Sequence, residues 1–561
     1  MNDQPNLKQF LDEMGSFTEQ DGAASRSAAS GKALPPIGHV VEIAGSGSQV
    51  RLDPAVLNTL SSHADLSVAM SGQVGSQVKM NVGSSWLIAN VRTMRADDTS
   101  DIVAHVDFLG EGNRDSAGKL SNFRRGVTKF PIPGAQVHPV TSDDLRSVFA
   151  ADDRAHIEIG TVYPTDDIRG ALYIDPMLSK HFAVVGSTGT GKSTSVALIL
   201  HRISELSPEG HIVMIDPHGE YSAAFKGCGE LFNVENLQLP YWLMNFEEHC
   251  EVLLTTQGAE RERDSDILAK LLLAARTKGK NMEQLGKVTV DSPIPYLLTD
   301  LNTILVNEMG KLDRAGDVLP FQRLKNKLDE IRADPRYSFM FSGMLVSDTM
   351  GSLLAKLFRL PSHGRPISIV DVSGVPSEIT SVVVSVLARM VFDYAIWSRT
   401  EAQRPILLVC EEAHRYVPKD DASSGQAVRR ILERIAKEGR KYGVSLGLIT
   451  QRPSDLAEGV LSQCGTIIAM RLNNDRDQAC VRAAMPEGAR GFLDAIPALR
   501  NRECIVCGEG VAIPLRVRFD DLEPEKRPAS SDPSFASLWC QTGDEAGIIQ
   551  RTIKRWRGHG R

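Results

Sequence analysis

Apolar and polar positions change rhythm along the chain. Residues 1–35 are polar and small, ending in the run Ala-Ala-Ser-Arg-Ser-Ala-Ala-Ser-Gly-Lys at 23–32. Such a stretch buries too little apolar surface to fold, so a disordered tail is expected. Across 36–150, short apolar runs at 38–43, 77–82, 85–91 and 102–108 are separated by glycine turns. Runs of this length and spacing predict a small β-barrel or sandwich. Across 151–522, apolar strands alternate with longer helical stretches, the pattern of a parallel α/β sheet. Within it, about 240–345 reads mostly as helix, for example Asp-Ile-Leu-Ala-Lys-Leu-Leu-Leu-Ala-Ala at 266–275, and is expected to be a helical insertion. A last strand-like segment at 515–519 precedes a Pro/Ser-rich linker and a basic tail, together 523–561.

The longest apolar stretch, 382–397, is interrupted by Arg389 and Asp393. It is shorter than the roughly 20 residues that span a bilayer and reads as a buried helix. Residues 1–35 hold eight charges and no apolar signal core. Eight cysteines in 561 residues are too few for a disulfide scaffold. Cys504 and Cys507 have metal-like spacing, but in an apparent strand they point to opposite faces. A cytoplasmic protein with no membrane segment is expected. Lys+Arg number 63 against Asp+Glu 70, a net charge of -7. That balance excludes a protein that coats nucleic acid through bulk positive charge. It leaves room for local basic surfaces, at Arg124, Arg125 and Lys129 and in the tail at Arg551, Lys554, Arg555, Arg557 and Arg561.

The chemistry begins at Gly186, Ser187, Thr188, Gly189, Thr190, Gly191, Lys192, Ser193 and Thr194. An apolar run precedes this segment and a helical stretch follows, the context that gives a G-x-x-x-x-G-K-[ST] loop its meaning. Glycines let the backbone curl so that N–H groups face phosphates, and the helix start adds partial positive charge. Lys192 is expected at the β- and γ-phosphates of ATP, and the Ser193 hydroxyl on Mg²⁺.

Hydrolysis needs an acidic strand end. The segment 406–412, Ile-Leu-Leu-Val-Cys-Glu-Glu, supplies one, with both carboxylates at the edge where open α/β sheets bind ligands. Glu411 is expected to hold Mg²⁺, although Asp is more usual there. Glu412 is expected to polarise the attacking water as general base. A second apolar strand ends in Thr450 and Gln451, which makes Gln451 a candidate γ-phosphate sensor. A third ends in Asp216-Pro-His-Gly-Glu220; Asp216 and Glu220 fit the active site, while the turn residues explain the segment without catalysis as well.

These segments resemble one family. The phosphate loop, Asp-Pro-His-Gly-Glu-Tyr at 216–221, Glu-Glu-Ala-His-Arg-Tyr at 411–416, Lys-Glu-Gly-Arg-Lys-Tyr-Gly at 437–443 and Thr-Gln-Arg-Pro-Ser at 450–454 are similar to the HerA family, within the HerA/FtsK superfamily. The stretch 37–148 resembles that family's N-terminal HAS-barrel. The resemblance implies a RecA-like P-loop core and a homo-hexamer that moves double-stranded DNA with ATP. It also implies an effector protein on the ring, a NurA-type or other nuclease or a sirtuin-like protein, in end processing or antiviral defence. In such rings a neighbouring subunit often supplies an arginine, and Arg440 is the candidate, in cis or in trans; Lys180 and His181 are second candidates. A nucleotide-gated ring scaffold that activates an effector, or a conjugation or secretion ATPase, fits the same residues.

Overall fold

A computed structural model describes residues 34–558 apart from 98–100, 117, 279–285, 343–346, 420–424, 486–488, 530–533, 542 and 544. Residues 1–33 of the expected tail 1–35, and Arg561, lie outside the described residues.

Seven short strands build the N-terminal unit: β1 (Gly38–Ile43), β2 (Gly47–Leu52), β3 (Gln77–Val82), β4 (Ser85–Ala96), β5 (Ile102–Arg114), β6 (Leu120–Arg125) and β7 (Gln136–Pro139). Their order is β2-β1-β7-β3-β4-β5-β6, and β2 also pairs with β5 from Gly47↔Asp107 to Leu52↔Ile102. That pairing closes six strands into a barrel and leaves β6 outside it on β5. The interior is filled by Val40, Val50, Leu52, Val78, Met80, Leu87, Val91, Val106 and Val137. Closure removes unpaired edges among these six strands.

The second unit is one sheet of eleven strands: β8 (His156–Val162), β9 (Arg169–Tyr173), β10 (Phe182–Val185), β11 (Ile212–Asp216), β12 (Gly229–Phe232), β13 (Ile367–Asp371), β14 (Ile406–Cys410), β15 (Val444–Thr450), β16 (Thr466–Met470), β17 (Glu503–Gly508) and β18 (Leu515–Phe519). The order is β12-β13-β11-β14-β15-β10-β16-β17-β18-β8-β9. From β12 to β16 every pairing is parallel, and from β16 to β9 every pairing is antiparallel. Helices pack on both faces of the parallel part, so β10, β11, β14 and β15 are continuous runs of buried residues. Gly447 of β15 lies opposite Phe182 of β10, and a Cβ there would meet the Phe182 ring at 2.6 Å. Strand β10 stands between β15 and β16, with the strand order reversing around it, and so marks the crevice where such sheets bind ligands.

The helix α1 (Lys192–Leu206) follows β10. Between β12 and β13 the described chain is mostly helical, with α2 (Phe246–Leu253), α3 (Gly258–Thr277), α4 (Leu298–Met309) and α5 (Ala315–Ala333). The apolar stretch around 382–397 lies in α6 (Ser377–Trp397). This helix is long and apolar enough to cross a membrane, yet 67% of its apolar window is buried inside the fold. Its arginine explains the interruption. Arg389 donates to Glu248 Oε2 at 2.8 Å and to the Leu243 carbonyl at 2.6 Å, and Ser385 donates to Glu248 Oε1 at 2.8 Å. Glu248, at 0% exposure, also caps the start of α2 with Asn245. The pair therefore fastens the helical insertion to α6.

Removing one partner of a buried pair strands the other charge, so Arg389→Met is expected to destabilise the protein by about 3–5 kcal/mol. Chemical denaturation should show this, with a smaller loss in Arg389→Met/Glu248→Leu, where no charge is left unpaired.

Candidate nucleotide site

The loop 186–191 leaves β10 at its carboxyl end and turns directly into α1. Gly189 and Gly191 have φ of +78° and +93°, a region that side chains rarely adopt. The loop is clamped from outside: Ser187 N–H donates to the Arg471 carbonyl at 2.9 Å, and Arg502 N–H donates to the Thr190 carbonyl at 2.9 Å. Thr190 is fully buried and its hydroxyl donates to Ser187 O at 2.8 Å. Thr188 and Gly189 at the tip are exposed, and Thr194 is half-buried in the first turn of α1.

Lys192 is only 8% exposed and points at the end of β14. Its Nζ lies 3.9 Å from Glu411 Oε1 and 3.7 Å from Glu412 Oε1. Ser193 donates to Glu220 Oε2 at 3.4 Å. Tyr221, fully buried, donates to Glu411 Oε2 at 3.1 Å. Asp216 is spent on the turn: its carboxylate accepts N–H bonds from His218, Gly219 and Tyr221 at 2.9–3.1 Å. It therefore shapes the loop that presents Glu220 and Tyr221. Thr188 donates to Gln451 Oε1 at 2.5 Å, which brings the loop tip to the end of β15.

Burial pushes the Glu411 carboxyl up to about 8; Glu412 and Asp216 add to the rise, while Lys192 and Tyr221 oppose it. Burial also raises Asp216, against the N–H bonds it accepts. Glu412 has φ +51°, uncommon outside glycine, so its backbone is held in a strained conformation beside the loop. Its Oε2 is buried without a hydrogen bond. A lysine drawn between two carboxylates, and a carboxylate oxygen without a donor, are what a pocket shaped for phosphate and a divalent cation presents. Ser193 and Glu411 are the side chains able to hold Mg²⁺, and Lys192 and the loop N–H groups those able to hold phosphate.

Residues 157–391 match the family model described as "Helicase HerA, central domain". A protein of Pyrococcus furiosus named DNA double-strand break repair helicase HerA is 26% identical over 511 residues, 84% of this chain and 88% of that one. Over most of its length the chain is similar to this HerA protein. A probable helicase of Methanocaldococcus jannaschii is 24% identical over 495 residues, 83% of this chain and 90% of that one. The solved structure of VirB4 of Thermoanaerobacter pseudethanolicus matches with a TM-score of 0.48 at 15% identity, over 67% of this chain and 99% of that one.

In this chain Lys192, Ser193, Glu411, Glu412 and Gln451 meet at one edge of the sheet. Arg440 does not join them. It stands exposed on the turn Gly439–Tyr442 just before β15, lining a pocket with Ile174, Pro405 and Ile406 at the amino-terminal edge. It is not placed among this chain's own phosphate-loop residues. His181 is structural as well: its Nδ1 accepts the Leu446 N–H at 3.0 Å, and Nε2 lies 3.1 Å from the Ala436 carbonyl. Lys180 pairs with Glu509 at 3.0 Å. Two functional contacts escaped the sequence reading, Tyr221 on Glu411 and His414 beside Glu412. The tyrosine's place directly after the Asp-Pro-His-Gly-Glu turn was the available signal.

The Glu411 shift has a measurable sign. Its folded value lies above the unfolded one near 4.5, so the stability it contributes is complete below that value and is lost as pH rises through 8. Without nucleotide or Mg²⁺, the Tm of the wild type minus that of Glu411→Gln is expected to decline between pH 6 and 9. A difference that stays flat by scanning fluorimetry contradicts a raised carboxyl.

Proposed function

We propose that the protein is an ATP-driven motor that moves double-stranded DNA as a homo-hexamer and serves an effector protein. The observation that carries the reading is Lys192 and the Glu411–Glu412 pair within 4 Å of one another below the phosphate loop. Mg²⁺, when bound by Ser193 and Glu411, neutralises phosphate charge. Lys192 stabilises charge on the β- and γ-phosphates of ATP, and Glu412 orients the water and accepts its proton. Gln451, bonded to the loop tip through Thr188, is suited to report the γ-phosphate to β15.

The DNA substrate is supported by the relatives named for double-strand break repair and by exposed cations on β6 and the loop after it, Arg124, Arg125 and Lys129. A helix α7 (Glu545–Gly558) adds exposed Arg551, Lys554, Arg555 and Arg557. Contacts of this type are sequence-independent and weaken with salt. Arg440, exposed at the opposite edge, is proposed to act on a neighbouring subunit's nucleotide. The effector reading, a nuclease or a sirtuin-like protein, rests on the family resemblance.

Lys192→Ala is expected to abolish ATP turnover, and Glu412→Gln to abolish DNA-stimulated turnover while nucleotide still binds. Turnover indifferent to DNA but dependent on a partner protein would favour a nucleotide-gated scaffold. Native mass measurement with ATP and Mg²⁺ should give six subunits. Mixing Arg440→Ala with Glu412→Gln subunits should regain part of the activity if the arginine acts across the interface; a mixture as inactive as its components contradicts it.

A further inference from the structure

His414 lies on the short turn Ala413–Arg415 after β14, two residues beyond the proposed general base. Its Nδ1 faces two oxygens. Thr450 Oγ1 is 3.1 Å away and Glu412 Oε2 is 3.2 Å away. Thr450 Oγ1 already accepts the Arg452 N–H at 3.0 Å, so one of its lone pairs is taken. A nitrogen lone pair aimed at a carboxylate oxygen at this distance is repelled, so the Glu412 carboxylate selects the tautomer with a proton on Nδ1. That one proton then has two acceptors. In this structure it is aligned with Thr450, and Glu412 Oε2 is buried without a hydrogen bond. An unsatisfied buried carboxylate oxygen is costly, and a small rotation of the imidazole satisfies it. The ring has room for the rotation, because His414 also borders an open groove of about 1180 Å³ between the 458–462 segment and the helix Asp475–Ala484.

Thr450 is the last residue of β15, and Gln451 follows it, bonded to Thr188 of the phosphate loop. The imidazole therefore links the base on β14 to the strand end that faces the loop tip. We infer that His414 is the positioning residue of Glu412: its Nδ1–H passes between Thr450 and Glu412, and orients the carboxylate for the attacking water when it lies on Glu412. This rests on the reading of the site as an ATPase, with His414 acting through Glu412 and not on nucleotide.

The experiment is steady-state ATP turnover with Mg²⁺, alongside equilibrium binding of a fluorescent ATP analogue, for the full chain carrying His414→Leu, His414→Ala and His414→Asn. Asn carries an N–H near the place of Nδ1; Leu fills similar volume without one. Expected are a fall in kcat of about tenfold or more for Leu and Ala, with KM and analogue affinity within about twofold of wild type. Asn should recover kcat to within a few-fold. Turnover that survives in His414→Leu, a loss confined to KM, or an Asn variant as slow as Leu at equal Tm overturns the assignment. If Ala does not fold, the Leu and Asn pair decides alone. Wild-type protein with no turnover sinks the ATPase reading itself, a result distinguishable from all of these.

Discussion

The ammonium of Lys192 against two buried carboxylates is the constraint on which the site depends. Parallel strands bring their acidic ends to one edge: Asp216 from β11, Asp371 from β13, and Glu411 and Glu412 after β14. Acids in a row repel one another, and burial resists the ionisation of Asp216 and Glu411. Lys192 is the cation that opposes this at Glu411. To reach that position it must start α1 immediately after a loop with two glycines at positive φ, at the end of a central strand buried on both faces. The apolar runs of β10, β11, β14 and β15, the glycine loop and the acidic strand ends are thus parts of one electrostatic arrangement.

How much of this was legible in the sequence follows from how local each feature is. The phosphate loop, Glu411–Glu412 and Gln451 sit in short contiguous segments, each an apolar run followed by polar residues, so both identity and edge could be read. The barrel was legible as short strands, but its closure depends on β2 meeting β5 across 50 residues, which no local pattern encodes. Tyr221 and His414 act through partners 190 and 36 residues away, and only strand order brings these together. Arg440 stands apart from that edge for a simpler reason. Residues just before a parallel strand lie at its amino end, and the phosphates lie at the carboxyl end. Lys180 and His181 precede β10 and follow the same rule.

The insertion shows how a polar residue in an apolar helix is to be read. Arg389 and Asp393 weaken the case for a bilayer span on composition alone. The structure gives the reason they are there: Arg389 reaches Glu248, Asp393 and the Leu243 carbonyl, so its charge and donors are satisfied inside the protein. Glu248 in turn completes the N-terminal cap of α2, so one buried carboxylate serves a helix start and a tertiary clamp.

The formal charge of -7 misstates the field that a polyanion would meet. It counts Glu411 as a full charge, yet that carboxyl is buried beside the phosphate loop. With its carboxyl pushed up to about 8, Glu411 is mostly protonated at pH 7 before Mg²⁺ binds. Clusters of exposed cations lie elsewhere, on β6 and the loop after it and along α7. Interactions between exposed charges fade over about 8–10 Å at physiological salt, so local clusters, not the sum, decide where phosphate backbone is attracted. A net negative charge is therefore compatible with local basic clusters on the N-terminal unit and along α7.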